Sequence, residues 1–143
     1  MFLFYFSIIL AVCSSAFYHF TAKSTPGNVN FTVSLLVTYA IAFLATLLTF
    51  PFFPVPEGMM TELKKLNWAS IGLAIAVVGI EFGFLLMYRS GWNLGIAAVL
   101  VTVIASLILV PVAVFVFKDR ISWVNVVGIF VCLAGLVMLN WKR

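Results

Sequence analysis

The sequence predicts an all-α polytopic membrane protein, its 143 residues folded as a single domain (1–143) of five transmembrane helices. Three observations predict it. The chain is 65% hydrophobic and only 8% charged, whereas soluble domains carry about 25% charged residues. Five apolar runs, at residues 2–22, 31–50, 68–88, 93–117 and 122–140, each come close to the roughly 20 residues that cross a hydrocarbon core as a helix. The breaks between them hold four of the five prolines and most of the charges. Lipid offers no water to satisfy a free backbone, so each run must be helical at membrane depth. The expected location is the cell inner membrane or plasma membrane, as a multi-pass protein.

The net charge of +4 comes from Lys and Arg near the ends of the runs. Such residues meet lipid headgroups. No basic cluster with interleaved polar residues exists, so nucleic acid is not an expected partner. Cys13 and Cys132 both sit inside apolar runs and read as small packing residues, with no metal or cofactor implied.

The first span ends in polar residues: Ser14, Ser15, Tyr18, His19 and then Lys23. Ser15 and His19 are four apart and share a helix face, with Ser14 and Tyr18 in the next column. A polar stripe within lipid should face protein or a water-filled cavity. A cleaved signal peptide is the competing reading, and Leu10-Ala-Val-Cys13 resembles a degraded lipoprotein box. Against it, no Lys or Arg precedes the run, and Val12 is larger than cleavage sites accept.

Thr25-Pro-Gly-Asn-Val-Asn30 is a loop by its turn residues. The second span holds no charge and is ended by Pro51, Pro54 and Pro56, so it reads as a peripheral, lipid-facing helix. Residues 57–66 form the longest hydrophilic segment and are expected as a short helical turn along the interface. Asn67 is the expected N-cap of the third span, and Trp68 sits at aromatic-belt level. That span holds an intramembrane carboxylate, Glu81, with Gly79 and Gly83 around it in an arrangement that admits another backbone. The fourth span carries Thr102, Ser106 and Pro111. The fifth presents Gly128, Cys132 and Gly135 on one side, a smooth face for packing against a second copy. Trp92, Trp123 and Trp141 fall at span ends, as interface anchors do.

In this topology Lys64, Lys65, Lys118 and Arg120 lie on one side of the membrane and Lys23, Arg89, Lys142 and Arg143 on the other. The positive-inside rule then has nothing to act on. A chain without that bias inserts both ways, and two opposed copies make an antiparallel homodimer. Alternatively the balance is accidental and a paired homologous subunit supplies the other half.

The stretch Gly95-Ile-Ala-Ala98, Leu109-Val-Pro111, Phe117-Lys-Asp-Arg-Ile-Ser122 and Val127-Gly-Ile-Phe-Val-Cys-Leu-Ala-Gly135-Leu-Val137 resembles the drug/metabolite transporter superfamily. The likeness is to the EamA-type repeat and the small multidrug resistance proteins, in the order of a proline-bearing helix, a short polar turn and a glycine-spaced last helix. It covers about the last 60 residues well and the first 90 by layout alone. It implies one EamA-like repeat acting as an antiparallel dimer, a small-molecule solute as cargo, and alternating access about a pseudo-two-fold axis. One departure matters. The small multidrug proteins carry an essential acid on the first helix, and this chain has Ser15 at that position.

Glu81 leads the candidates for solute or proton binding. A carboxylate at mid-membrane must be neutral, paired or solvated, and marks a functional site unless it merely bridges two helices as a protonated group. His19 is a titratable companion, though a histidine beside Lys23 at a span end is also an ordinary headgroup-level residue. Ser15, Tyr18, Tyr88, Thr102 and Ser106 complete the expected cavity of the first, third and fourth spans. Two other classes stand beside a carrier. One is a non-transporting subunit that packs against a larger transporter or a lipid-linked-substrate protein. The other is an intramembrane enzyme using His19 and Glu81; with one histidine and no nucleophile-base-orienter set, the chain is not expected to be an enzyme.

Overall fold

The computed structural model describes residues 2–141, so the C-terminal charges Lys142 and Arg143 lie outside the described residues. The fold is all-helical: α1 (Phe2–Ser24), α2 (Phe31–Leu47), α3 (Met59–Lys65), α4 (Trp68–Arg89), α5 (Leu94–Phe115) and α6 (Trp123–Asn140). Three of these, α1, α4 and α5, are long and apolar enough to cross a membrane, while α2 and α6 are shorter apolar helices. The chain is thus built as a helical membrane protein is.

Four helices begin on side-chain caps, each satisfying a backbone N–H that the helix leaves without a partner. The Asn30 amide oxygen accepts from Thr32 N and that of Asn67 from Ala69 N, both at 2.9 Å. Asn93 accepts from Gly95 N at 3.2 Å, and the Ser122 hydroxyl accepts from Asn125 N at 3.3 Å. The expected cap at Asn67 is present, and residues 93 and 122, counted inside the fourth and fifth spans, are caps instead.

The second helix stops at Leu47, three residues before the expected end of its span at 50. Pro51 disfavours helical backbone at the residue before it and brings no N–H of its own. The chain therefore tightens first into three-residue turns, Thr49 N to Thr46 O at 3.0 Å and Phe50 N to Leu47 O at 3.1 Å. At the end of α5, Lys118 takes a left-handed backbone, φ 57°, and the Asp119 N–H reaches back to Ala113 O at 3.0 Å. That turn ends the helix at Phe115 although the apolar run continues to Phe117. Pro111 lies inside α5 without ending it.

The hydrophilic segment contains α3, as expected. Lys65 Nζ lies 2.5 Å from Glu57 Oε2 and 2.8 Å from Glu62 Oε1. These two carboxylates hold the Lys65 ammonium above the ordinary lysine range. The bridges are solvent-exposed, so they set the course of the loop more than they stabilise it.

The helices gather into two compact units. One comprises residues up to His19 together with those from Gly91; the other runs from Phe20 to Ser90. In the first, α5 packs against α6 and Ala97 is fully buried. In the second, α2 packs against α4 around Leu35, Phe84, Leu85 and Tyr88, with the Phe31 and Phe82 rings 5.2 Å apart. Elsewhere large apolar side chains are exposed along whole helices, among them Phe17, Leu44, Ile75, Ile108 and Phe130. An apolar surface of that extent suits lipid or a second protein copy and not water. Trp68, Trp123 and Trp141 are about four-fifths exposed at 81%, 84% and 78%, as side chains at the membrane–water boundary would be.

Candidate functional site

In the unit that includes α5, a groove of about 520 Å³ opens between α1 and α5. Alanines 11, 16 and 98 hollow it out, and Ser15, His19 and Thr102 supply its polar atoms. The helical spacing of four puts Ser15 and His19 one turn apart on the wall. The His19 ring is half-buried and meets the Tyr18 ring edge-on, centroids 5.1 Å apart at 69°. Opposite, the Thr102 hydroxyl donates to Ala98 O at 2.8 Å. Its proton is committed to its own helix, so towards the groove it can only accept.

Ser106 is committed likewise, donating to Thr102 O at 2.8 Å. It lines a different cavity, about 320 Å³ between α5 and α6, together with Asn125, Gly128 and Cys132. Thr102 and Ser106 share one helix but line different cavities. A Cβ added at Gly128 or Gly135 would meet nothing within 4 Å, and the same holds at Gly79 and Gly83. Among the described residues, no helix fills the close approach that these glycines permit.

The third span's candidates belong to the other unit. Glu81 is half-buried on α4, with Tyr39 of α2 within electrostatic reach. The Tyr39 hydroxyl is buried and has no hydrogen-bond partner. Tyr39 also lines a cavity of about 450 Å³ with Ser70, Ala74 and Val77. Tyr88 is buried, its ring stacked on Phe84 with centroids 5.9 Å apart, and it lines a small cavity with Lys23 and Arg89.

The structure thus brings Ser15, His19 and Thr102 together, while Tyr18 touches the His19 ring but is not among the residues lining the groove. Ser106 lines the α5–α6 cavity, and the lining of the groove comes from the first and fourth spans. Sequence reading gave Tyr39 no role, since the uncharged second span reads as lipid-facing, and it gave Lys23 and Arg89 none beyond span ends. Their one signal is that two cations close the first and third spans with no acid beside them. No family model matches the chain, and neither a curated protein nor a solved structure does. Fold and site define a class, an all-helical protein whose longest helices can cross a membrane.

Proposed function

We propose that this chain is a small-solute membrane carrier of the drug/metabolite superfamily type, five spans working by alternating access as an antiparallel homodimer with proton coupling. The observation that carries this reading is the groove between α1 and α5, whose 520 Å³ falls within the few hundred to a thousand Å³ of small-molecule sites. Its walls are apolar, with His19, Ser15 and the accepting oxygen of Thr102 to orient a ligand. No carboxylate lines it, so the cargo of this reading is neutral or anionic and not a cationic drug. The five-span count takes α2 and α6 as spans. At 17 and 18 residues they reach roughly 25 Å, and the exposed apolar residues Leu48, Phe50, Phe52 and Phe53 lengthen the hydrophobic band beyond α2. The even split of Lys and Arg supports insertion in both orientations.

The test is thermal stabilisation of the purified chain against a panel of small metabolites and cations at two pH values. A ligand at a hundred times its Kd stabilises by about 2.7 kcal/mol, and Thr102→Val should reduce that gain. A reporter fused to the C-terminus should be found on both sides of the membrane, and Phe2→Lys with Leu3→Lys should bias the N-terminus to the cytoplasm. Stabilisation by no solute, with the reporter wholly on one side, would favour the non-transporting subunit.

A further inference from the structure

The groove between α1 and α5 holds two hydroxyls at one depth. Thr102 lies eight residues beyond Leu94, the start of α5, and Ser15 lies nine residues before Ser24, the end of α1. With a rise of about 1.5 Å per residue, both sit roughly 12–14 Å from those helix ends. That is close to the middle of a hydrocarbon core roughly 30 Å thick. None of the residues lining the groove is Lys, Arg, Asp or Glu. A bound ion would meet no fixed counter-charge there, and an uncompensated charge is costly at such depth. The lining therefore favours an uncharged occupant.

The two hydroxyls differ in what they offer. Thr102 Oγ1 donates to Ala98 O at 2.8 Å, so its proton stays on α5 and only its lone pairs face outward. Thr102 is exposed, which leaves that oxygen within reach of a molecule in the groove. Ser106 is bound in the same manner, to Thr102 O, but lines the α5–α6 cavity instead. A serine hydroxyl such as that of Ser15 can both give and take a proton, so it suits a donor or an acceptor alike. Thr102 suits a donor alone. An ether or hydrocarbon laid against it would displace water from the oxygen and return no hydrogen bond.

We propose that Thr102 is the specificity-determining residue of this groove, selecting an uncharged molecule with a hydroxyl or N–H donor over its ether or hydrocarbon analogue. The assignment deepens the carrier reading and rests on the groove being its cargo site. It narrows the cargo from neutral or anionic to neutral, and from any polar group to a hydrogen-bond donor. Discrimination follows because a site acceptor left unpaired penalises the analogue that lacks the donor.

The experiment uses the purified full chain in phosphatidylcholine nanodiscs and probes built on one phenyl ring: benzyl alcohol, benzyl methyl ether, benzoate and benzylammonium. Saturation-transfer NMR reads their affinities, with every variant in the same lipid so that partition into the bilayer cancels. Wild type should bind the alcohol about tenfold more tightly than the ether, the scale of one hydrogen bond, and more tightly than either ion. Thr102→Val should equalise alcohol and ether, and Thr102→Ser should keep the preference. Ser106→Ala, which removes the equivalent bond beside the other cavity, should leave it intact. Equal binding of alcohol and ether by wild type, a preference that survives Thr102→Val, or tighter binding of an ion would each overturn the assignment. If a solute of the metabolite panel still stabilises the chain after such a result, the carrier reading stands without it. If neither a solute nor a probe binds, both fall.

Discussion

The Arg89 guanidinium lies flat enough on Phe31 to bring its central carbon within 3.7 Å of the ring centre, joining the last turn of α4 to the first of α2. The same guanidinium holds the carbonyls of Pro26 and Val29. One side chain therefore secures a helix pair and the loop that leads into it.

Removing parts of that clamp should separate its contributions. Phe31→Leu removes the ring face and should destabilise by about 0.5–2 kcal/mol. Arg89→Lys keeps the charge but loses the fork, and should destabilise by about 1.5–3 kcal/mol, the range for charged hydrogen bonds. Unfolding in mixed micelles measures both, and the double mutant should fall short of their sum because they share a partner.

Lys118 should be improvable. A side chain in left-handed backbone is strained by roughly 1–2 kcal/mol, and glycine removes that strain at some loss from a freer unfolded chain. Lys118→Gly should leave the protein as stable or up to about 1 kcal/mol more stable. Lys118→Val, β-branched at a positive φ of 57°, should destabilise it clearly. The same unfolding assay decides between them.

Glu81→Gln keeps the shape of the side chain and removes its charge. If Glu81 exchanges a proton with the solution during binding, wild type should show a pH-dependent ligand affinity that Glu81→Gln lacks, while insertion and dimerisation persist. His19→Gln should leave that pH dependence in place. Loss of the titration in His19→Gln and its retention in Glu81→Gln would move the proton site to the first helix. Tyr39→Phe, which deletes the unpartnered hydroxyl near Glu81, should change affinity without abolishing the titration.

The glycines of α6 offer a test of assembly that does not confuse folding with association. Among the described residues nothing lies within 4 Å of a Cβ at Gly128 or Gly135, so the first carbon of a leucine side chain is accommodated there within a single copy. Gly128→Leu and Gly135→Leu should convert dimer to monomer with helical content unchanged, whereas Val126→Leu should not. Crosslinking in lipid reads the difference, and dimers in both glycine variants would assign the face to another partner.

Helix positions were legible because they follow from local causes. A run of apolar residues in lipid has no alternative to internal hydrogen bonding, so the third span's 68–88 and α4's Trp68–Arg89 nearly coincide. Asn67 as a cap and α3 within residues 57–66 were readable for the same reason, from residues a few positions apart. Where boundaries moved, a neighbouring backbone preference overrode hydropathy, at Pro51 for α2 and at left-handed Lys118 for α5.

The partners of the polar side chains were not legible. Thr102 and Ser106 were both expected in one cavity, yet they line different ones, because which helix lies alongside each turn is not encoded in their positions. Tyr39 looked like a residue of a lipid-facing helix until α4 brought Glu81 near it. Arg89 looked like the end of a span, and its stacking on Phe31 spans 58 positions of the chain. Hydropathy and capping act over a turn or two of backbone, so the chain itself specifies where helices begin and stop. Cavities, clamps and unpartnered hydroxyls arise from packing between segments distant in the chain, and they exist only once those segments have met.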